Sequence, residues 1–159
     1  GRYHHTALGI NGRLDTIQAA ILSAKLTIFE DEIAARQCVA DRYAMLLADL
    51  AAAGQITLPV LRPHNTSAWA QYTIRVPDRV QIRQYLAEQG IPSAVHYPAP
   101  LYDQPALAQS IQDCPESDRA AQEVLSLPMH PYLEAATQDH IAGALATAIA
   151  AGSASAATG

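Results

Sequence analysis

The 159 residues are 50% hydrophobic and 16% charged, which is enough apolar material for one core, too little length for two large domains, and too hydrophobic for a disordered chain. The formal net charge is −5 and no basic tract interrupts it, so a nucleic-acid partner is not expected. No apolar run reaches the length of a membrane span, and a soluble, cytoplasmic protein without membrane association is expected.

The chain opens Gly1-Arg2-Tyr3-His4-His5, with neither an initiator methionine nor a signal-peptide pattern, and reads as a chain entered midway. Residues 1–12 are turn-rich. A helix is predicted from near Arg13, because Leu14, Ile17, Ile21, Ala24 and Ile28 follow helical spacing along one apolar stripe. A second helical pattern covers 30–53, with Ile33, Ala40, Tyr43, Leu47 and Leu50 on one face and Gly54 as the stop. The two patterns meet without a breaker, so one long bent helix and two helices both fit.

The period then changes. Residues 56–58 form a short strand candidate closed by Pro59, and 63–67 a loop. Tyr72, Ile74 and Val76 alternate with Gln71, Thr73 and Arg75, the pattern of a half-buried strand ended by Pro77. Asp78 is placed to cap a helix running to Gln89, with Gln81 in the capping position and Gly90 at the stop. Residues 93–96 form a third strand candidate, halted by Pro98. This order predicts a small, mostly antiparallel sheet with helices. Two more helices are predicted near 117–127 and 135–151, and the Ala/Ser/Thr/Gly stretch 152–159 is expected to be a disordered tail.

Cys38 and Cys114 are far apart and form no CxxC pair, so buried free thiols are expected instead of a disulfide or zinc site. The histidines are scattered and no metal site is expected. Two clusters carry chemistry. In Gly9-Ile10-Asn11-Gly12-Arg13-Leu14-Asp15 an amide, a guanidinium and free backbone N–H groups gather at a turn entering a helix, an arrangement suited to a phosphate or carboxylate. The same residues also suit a self-stabilised turn with a solvated arginine. In Val95-His96-Tyr97-Pro98-Ala99-Pro100 a strand delivers an imidazole and a phenol to its end before prolines stiffen the exit. His96 is suited to donate to a phosphate or to transfer a proton, and equally to a satisfied His-Tyr pair at a strand edge. Met129-His130-Pro131-Tyr132 fits a packed turn, and Lys25, the single lysine, fits a solvated helix position.

Three segments together resemble the DegT/StrS-type sugar aminotransferases. Tyr3, His5, Gly9, Asn11, Arg13, Asp15, Gln18, Ala19, Ala20 and Leu22 match one family pattern, Gly90-Ile91 with His96-Tyr97-Pro98 a second, and Leu127-Pro128 with His130-Pro131 a third. The resemblance implies the α/β class: the C-terminal part of a fold-type-I, aspartate-aminotransferase-like homodimer that uses pyridoxal 5'-phosphate. It divides the chain into 1–30, the end of the large cofactor domain with its linking helix, 31–151, a small α/β domain, and the 152–159 tail. It implies cofactor contact by Asn11, reaching the phosphate in the partner subunit's site, and substrate contacts by Arg13, His96 and Tyr97. The Schiff-base lysine would precede Gly1, and Lys25 does not match its context, so no catalytic residue is assigned. The implied reaction moves an amino group from an amino acid such as glutamate to a UDP-linked 3-keto sugar for bacterial surface polysaccharide. A sugar dehydratase of the same family and a non-catalytic nucleotide-sugar-binding domain are the alternatives.

Overall fold

The computed structural model describes residues 3–12, 14–107 and 114–156. Arg13 lies outside the described residues.

Helix α1, Thr16–Lys25, starts where the Asp15 carboxylate accepts the Gln18 N–H at 2.8 Å, so the cap sets a start later than Arg13. A 3₁₀ turn at Leu26–Ile28 joins it to α2, Phe29–Leu46. The two helical patterns are therefore separate segments of one nearly continuous run. After a break at Leu47, α3 covers Ala48–Ala52. Gly54 ends the run with φ +70°, a left-handed conformation that costs glycine little. Cys38 is exposed, not buried as expected, and Cys114 is half-buried.

Strand β1, Tyr72–Arg75, buries Tyr72 and Ile74 and half-exposes Thr73 and Arg75, as its alternation predicts. Helix α4, Arg79–Glu88, is capped by Asp78, and Gly90 follows with φ +73°. Helix α5 spans Pro115–Glu123 and strand β2 Val124–Leu127. The helix expected over 117–127 is thus corrected at both ends. Proline at its first position pulls the start back, and antiparallel pairing with β1 turns the last four positions into strand. The register is Tyr72↔Leu127, Thr73↔Ser126, Ile74↔Leu125 and Arg75↔Val124.

The strand candidates at 56–58 and 93–96 are also corrected. Each contributes one isolated antiparallel bridge, Thr57↔Arg75 and Ala94↔Ser126. Pro59 lies just beyond the first, and Pro92 and Pro98 flank the second; proline has no N–H to extend a ladder. Helix α6, Ala135–Ala156, continues past residue 151 into the stretch expected to be a tail, on a run rich in alanine, the best helix former. Residues 157–159 lie outside the described residues.

One core joins these elements. Tyr43 and Leu47 from α2 and its C-terminus, Ile74, Leu86, Leu125 and Leu145 are all 0% exposed. Tyr43 and Tyr72 lie with ring centroids 5.0 Å apart, and the Tyr43 hydroxyl donates to the Pro128 carbonyl at 3.0 Å. Buried Gln138 of α6 donates its Nε2–H to the Val39 carbonyl at 2.9 Å, so this polar side chain sits inside at little cost. By contrast α1 has no buried residue.

Candidate functional site

The edge of the small sheet builds the site. Ser126 of β2 exchanges two backbone hydrogen bonds with Ala94, at 2.8 and 3.1 Å, which moors the 92–97 segment to the sheet. Ile91 and Val95 point inward as buried anchors. His96 and Tyr97 then emerge at the surface, His96 half-buried and Tyr97 62% exposed. The peptide bond between them is cis.

His96 lines an open cleft of about 280 Å³ with Gln71, Ser93, Ser126, Pro128 and Met129. Its Nδ1 lies 3.2 Å from the Ser126 hydroxyl, and that hydroxyl lies 2.8 Å from Thr73 Oγ1. Among the described residues Nε2 has no partner. Tyr97 lines a second cleft of about 210 Å³ with Tyr3, His5, Pro98, Leu101 and Gln104. Its ring meets Tyr3 edge-to-face at 5.8 Å. The His5 N–H donates to Gln104 Oε1 at 3.0 Å, and the Ala106 N–H donates to the His5 carbonyl at 2.9 Å. The segment before α1 is therefore stitched to the segment after Tyr97.

Of the residues singled out by sequence, His96 and Tyr97 come together on the ridge between two clefts, facing different ones. Asn11 is exposed, and its side chain has no hydrogen-bond partner among the described residues. No hydrogen bond joins it to either of them. Tyr3, His5, Gln104 and Ser126 carried no role in the sequence reading. Tyr3 and His5 belong to the recognised pattern, but nothing local to them signals contact with positions 97–106. Lys25 is exposed in the last turn of α1. No group of three or more His, Cys, Asp or Glu able to hold a metal occurs among the described residues. No helix among them is long and apolar enough to cross a membrane.

This helix-rich α/β arrangement, with its small antiparallel sheet and exposed N-terminal helix, is that of part of a fold-type-I sugar aminotransferase. The chain belongs to the DegT/DnrJ/EryC1/StrS aminotransferase family, whose profile matches residues 1–146. It is 49% identical over 144 residues to the UDP-2-acetamido-2-deoxy-3-oxo-D-glucuronate aminotransferase of Pseudomonas aeruginosa, covering 91% of this chain and 39% of that protein. A solved DegT/DnrJ/EryC1/StrS aminotransferase from Brucella abortus superposes with TM-score 0.76 at 42% identity, over 91% of this chain and 38% of its own. NtdA of Bacillus subtilis, solved with the cofactor PMP bound, gives TM-score 0.67 at 29% identity over 74% of this chain and 28% of its own. The chain thus spans well under half the length of these relatives.

Proposed function

We propose that this chain is the C-terminal portion of a pyridoxal-phosphate-dependent aminotransferase that passes an amino group from an amino acid, glutamate, to a 3-keto nucleotide sugar. The sugar we assign is UDP-2-acetamido-2-deoxy-3-oxo-glucuronate, and the setting is cytoplasmic synthesis of a bacterial surface polysaccharide such as O-antigen. The observation that carries this reading is the family match over residues 1–146 together with 49% identity to an enzyme of that name. Residues 1–30 are read as the end of the large domain and 31–151 as the small one, in a homodimer.

The residues present suit one wall of such a site. Asn11 offers an exposed carboxamide without a hydrogen-bond partner among the described residues, and an amide N–H is a fitting donor to a phosphate oxygen. Arg13 follows two positions later, and its guanidinium matches a phosphate or a uronate carboxylate by a two-pronged contact. His96 and Tyr97 each line an open cleft, and the imidazole and the phenol can both hold oxygens of the nucleotide sugar. Lys25 is exposed on α1 and does not match the family's lysine context, so the lysine that holds the cofactor is assigned to the remainder of the complete protein, and the chain alone is inactive. When bound, pyridoxal phosphate supplies the electron sink that lets an amino group change hands. This chain's residues bind and orient the sugar. The test is to incubate the complete purified enzyme with glutamate and the UDP-linked 3-keto sugar and weigh the product. A UDP-linked 3-amino sugar is expected; product no higher than in the enzyme-free control sinks the proposal.

A further inference from the structure

Ser126 sits where three backbone segments meet. Its cross-strand partner on one side is Thr73, and on the other side it bridges to Ala94. Directly paired residues project to the same face of a sheet, and His96, two positions beyond Ala94, returns to that face. The Ser126 side chain is buried, with the residue 4% exposed. A hydroxyl so placed needs partners, and it has two: Thr73 Oγ1 at 2.8 Å and His96 Nδ1 at 3.2 Å.

We propose that Ser126, backed by Thr73, is a positioning residue that holds the His96 ring at Nδ1 and so presents Nε2 to an acceptor oxygen of the nucleotide sugar; this rests on the reading of His96 as a sugar-pocket residue. The hydroxyl chain can run in either direction, and the acceptor at the far edge of the ring chooses between them. Each hydroxyl has one O–H to give. With Thr73 donating to Ser126 and Ser126 donating to Nδ1, the ring proton of neutral His96 sits on Nε2. That edge has no partner among the described residues, and His96 lines the 280 Å³ cleft. Phosphate, keto and carboxylate oxygens of a nucleotide sugar are acceptors, so they select this tautomer. If His96 takes up a second proton, Nδ1–H donates to Ser126 and Ser126 donates to Thr73. The ring therefore keeps its orientation in both charge states. Thr73 and Ser126 act through His96 and touch no reacting atom.

The test uses the complete enzyme, with the amino-donor and keto-sugar half-reactions followed separately and the His96 ring nitrogens observed by ¹⁵N NMR. Ser126→Ala is expected to slow the sugar half-reaction about three- to tenfold, the loss of one ordinary hydrogen bond, and to leave the donor half-reaction unchanged. Thr73→Val should give a smaller loss in the same half-reaction, and Thr73→Ser, which keeps the hydroxyl, should restore it. In a His96→Gln background Ser126→Ala should add nothing. The ring spectrum should show one Nε2–H tautomer in the parent enzyme and a mixture in Ser126→Ala. An equal loss from Ser126→Ala with and without His96, or a ring spectrum indifferent to Ser126→Ala, overturns the proposal. If Ser126→Ala does not fold, Thr73→Val against Thr73→Ser decides by the same two readouts. Should His96→Gln leave the sugar half-reaction intact, the sugar-pocket reading fails by itself; the ring spectrum then decides the positioning role, a Ser126-dependent tautomer supporting it and an indifferent one overturning it.

Discussion

At the scale of single residues, the proposed roles separate by half-reaction. Replacing Arg13 by Ala in the complete enzyme should weaken nucleotide-sugar binding by about 1.5–3 kcal/mol, the worth of a hydrogen bond to a charged group, with cofactor loading intact. His96→Ala should act on the same sugar half-reaction. Asn11→Ala should instead loosen the cofactor, read as a raised concentration of pyridoxal phosphate for half-maximal activity. Equal slowing of the donor half-reaction by Arg13→Ala and His96→Ala would remove both from the sugar pocket. Lys25→Ala should leave activity unchanged, since its side chain is solvent-exposed on α1. That positions 96 and 97 emerge from a packed segment was legible in a strand-like run ending in prolines, while a substrate role for them came only from the family resemblance. That they face different clefts was not legible, since each cleft is closed by residues from elsewhere in the chain: Ser126 and Met129 for one, Tyr3 and Gln104 for the other.

Among the elements, the packing of α2 on β1 carries two predictions. Tyr43 is fully buried and donates to the Pro128 carbonyl. Pro128 is only half-buried, so Tyr43→Phe should cost about 0.5–1.5 kcal/mol, the net worth of an ordinary hydrogen bond, measured as a lowered urea midpoint. Burial also pushes both stacked phenols up. Tyr43 rises well above the ordinary tyrosine range, and Tyr72 reaches about 12, chiefly by burial and then by the charge of Asp41. The folded chain thus holds these protons to higher pH than the unfolded chain, whose phenols titrate near 10.0. Their contribution is complete below that value and is lost as pH rises from there toward 12. Urea midpoints should fall across that window, in step with the tyrosinate absorbance, and Tyr72→Phe should shallow the fall. The helices were legible wherever a cap and a stop bracket the period, as Asp78 and Gly90 do for α4. Strand β2 was not, because Val124 and Leu125 continue the apolar spacing of α5 and only pairing with β1 makes them extended.

For the whole molecule, α1 is the feature that stands apart. Ile17 is 75% exposed, Ile21 57% and Leu22 50%, on a helix that packs none of its residues into the core. A contiguous apolar face of this kind drives association. The isolated 159-residue chain should form oligomers at micromolar concentration by light scattering, and Ile17→Glu with Ile21→Glu should shift it toward monomer. A clean monomer without those changes would show that the face is tolerated in water.

What the sequence determined by itself is what adjacent residues decide among themselves: the α1 stripe, the capped helix α4, the alternation of β1 and the motifs of the family. These depend on spacing, caps and turn chemistry within a few residues. The tertiary structure alone decided which segment pairs with β1, because a ladder needs N–H groups from two distant stretches and the prolines at 59, 92 and 98 leave single bridges there. It also decided that Thr73, Ser126 and His96 form one chain of contacts. Positions 73, 126 and 96 have no local relation. Only the strand register and the Ala94 bridge bring their side chains to one face.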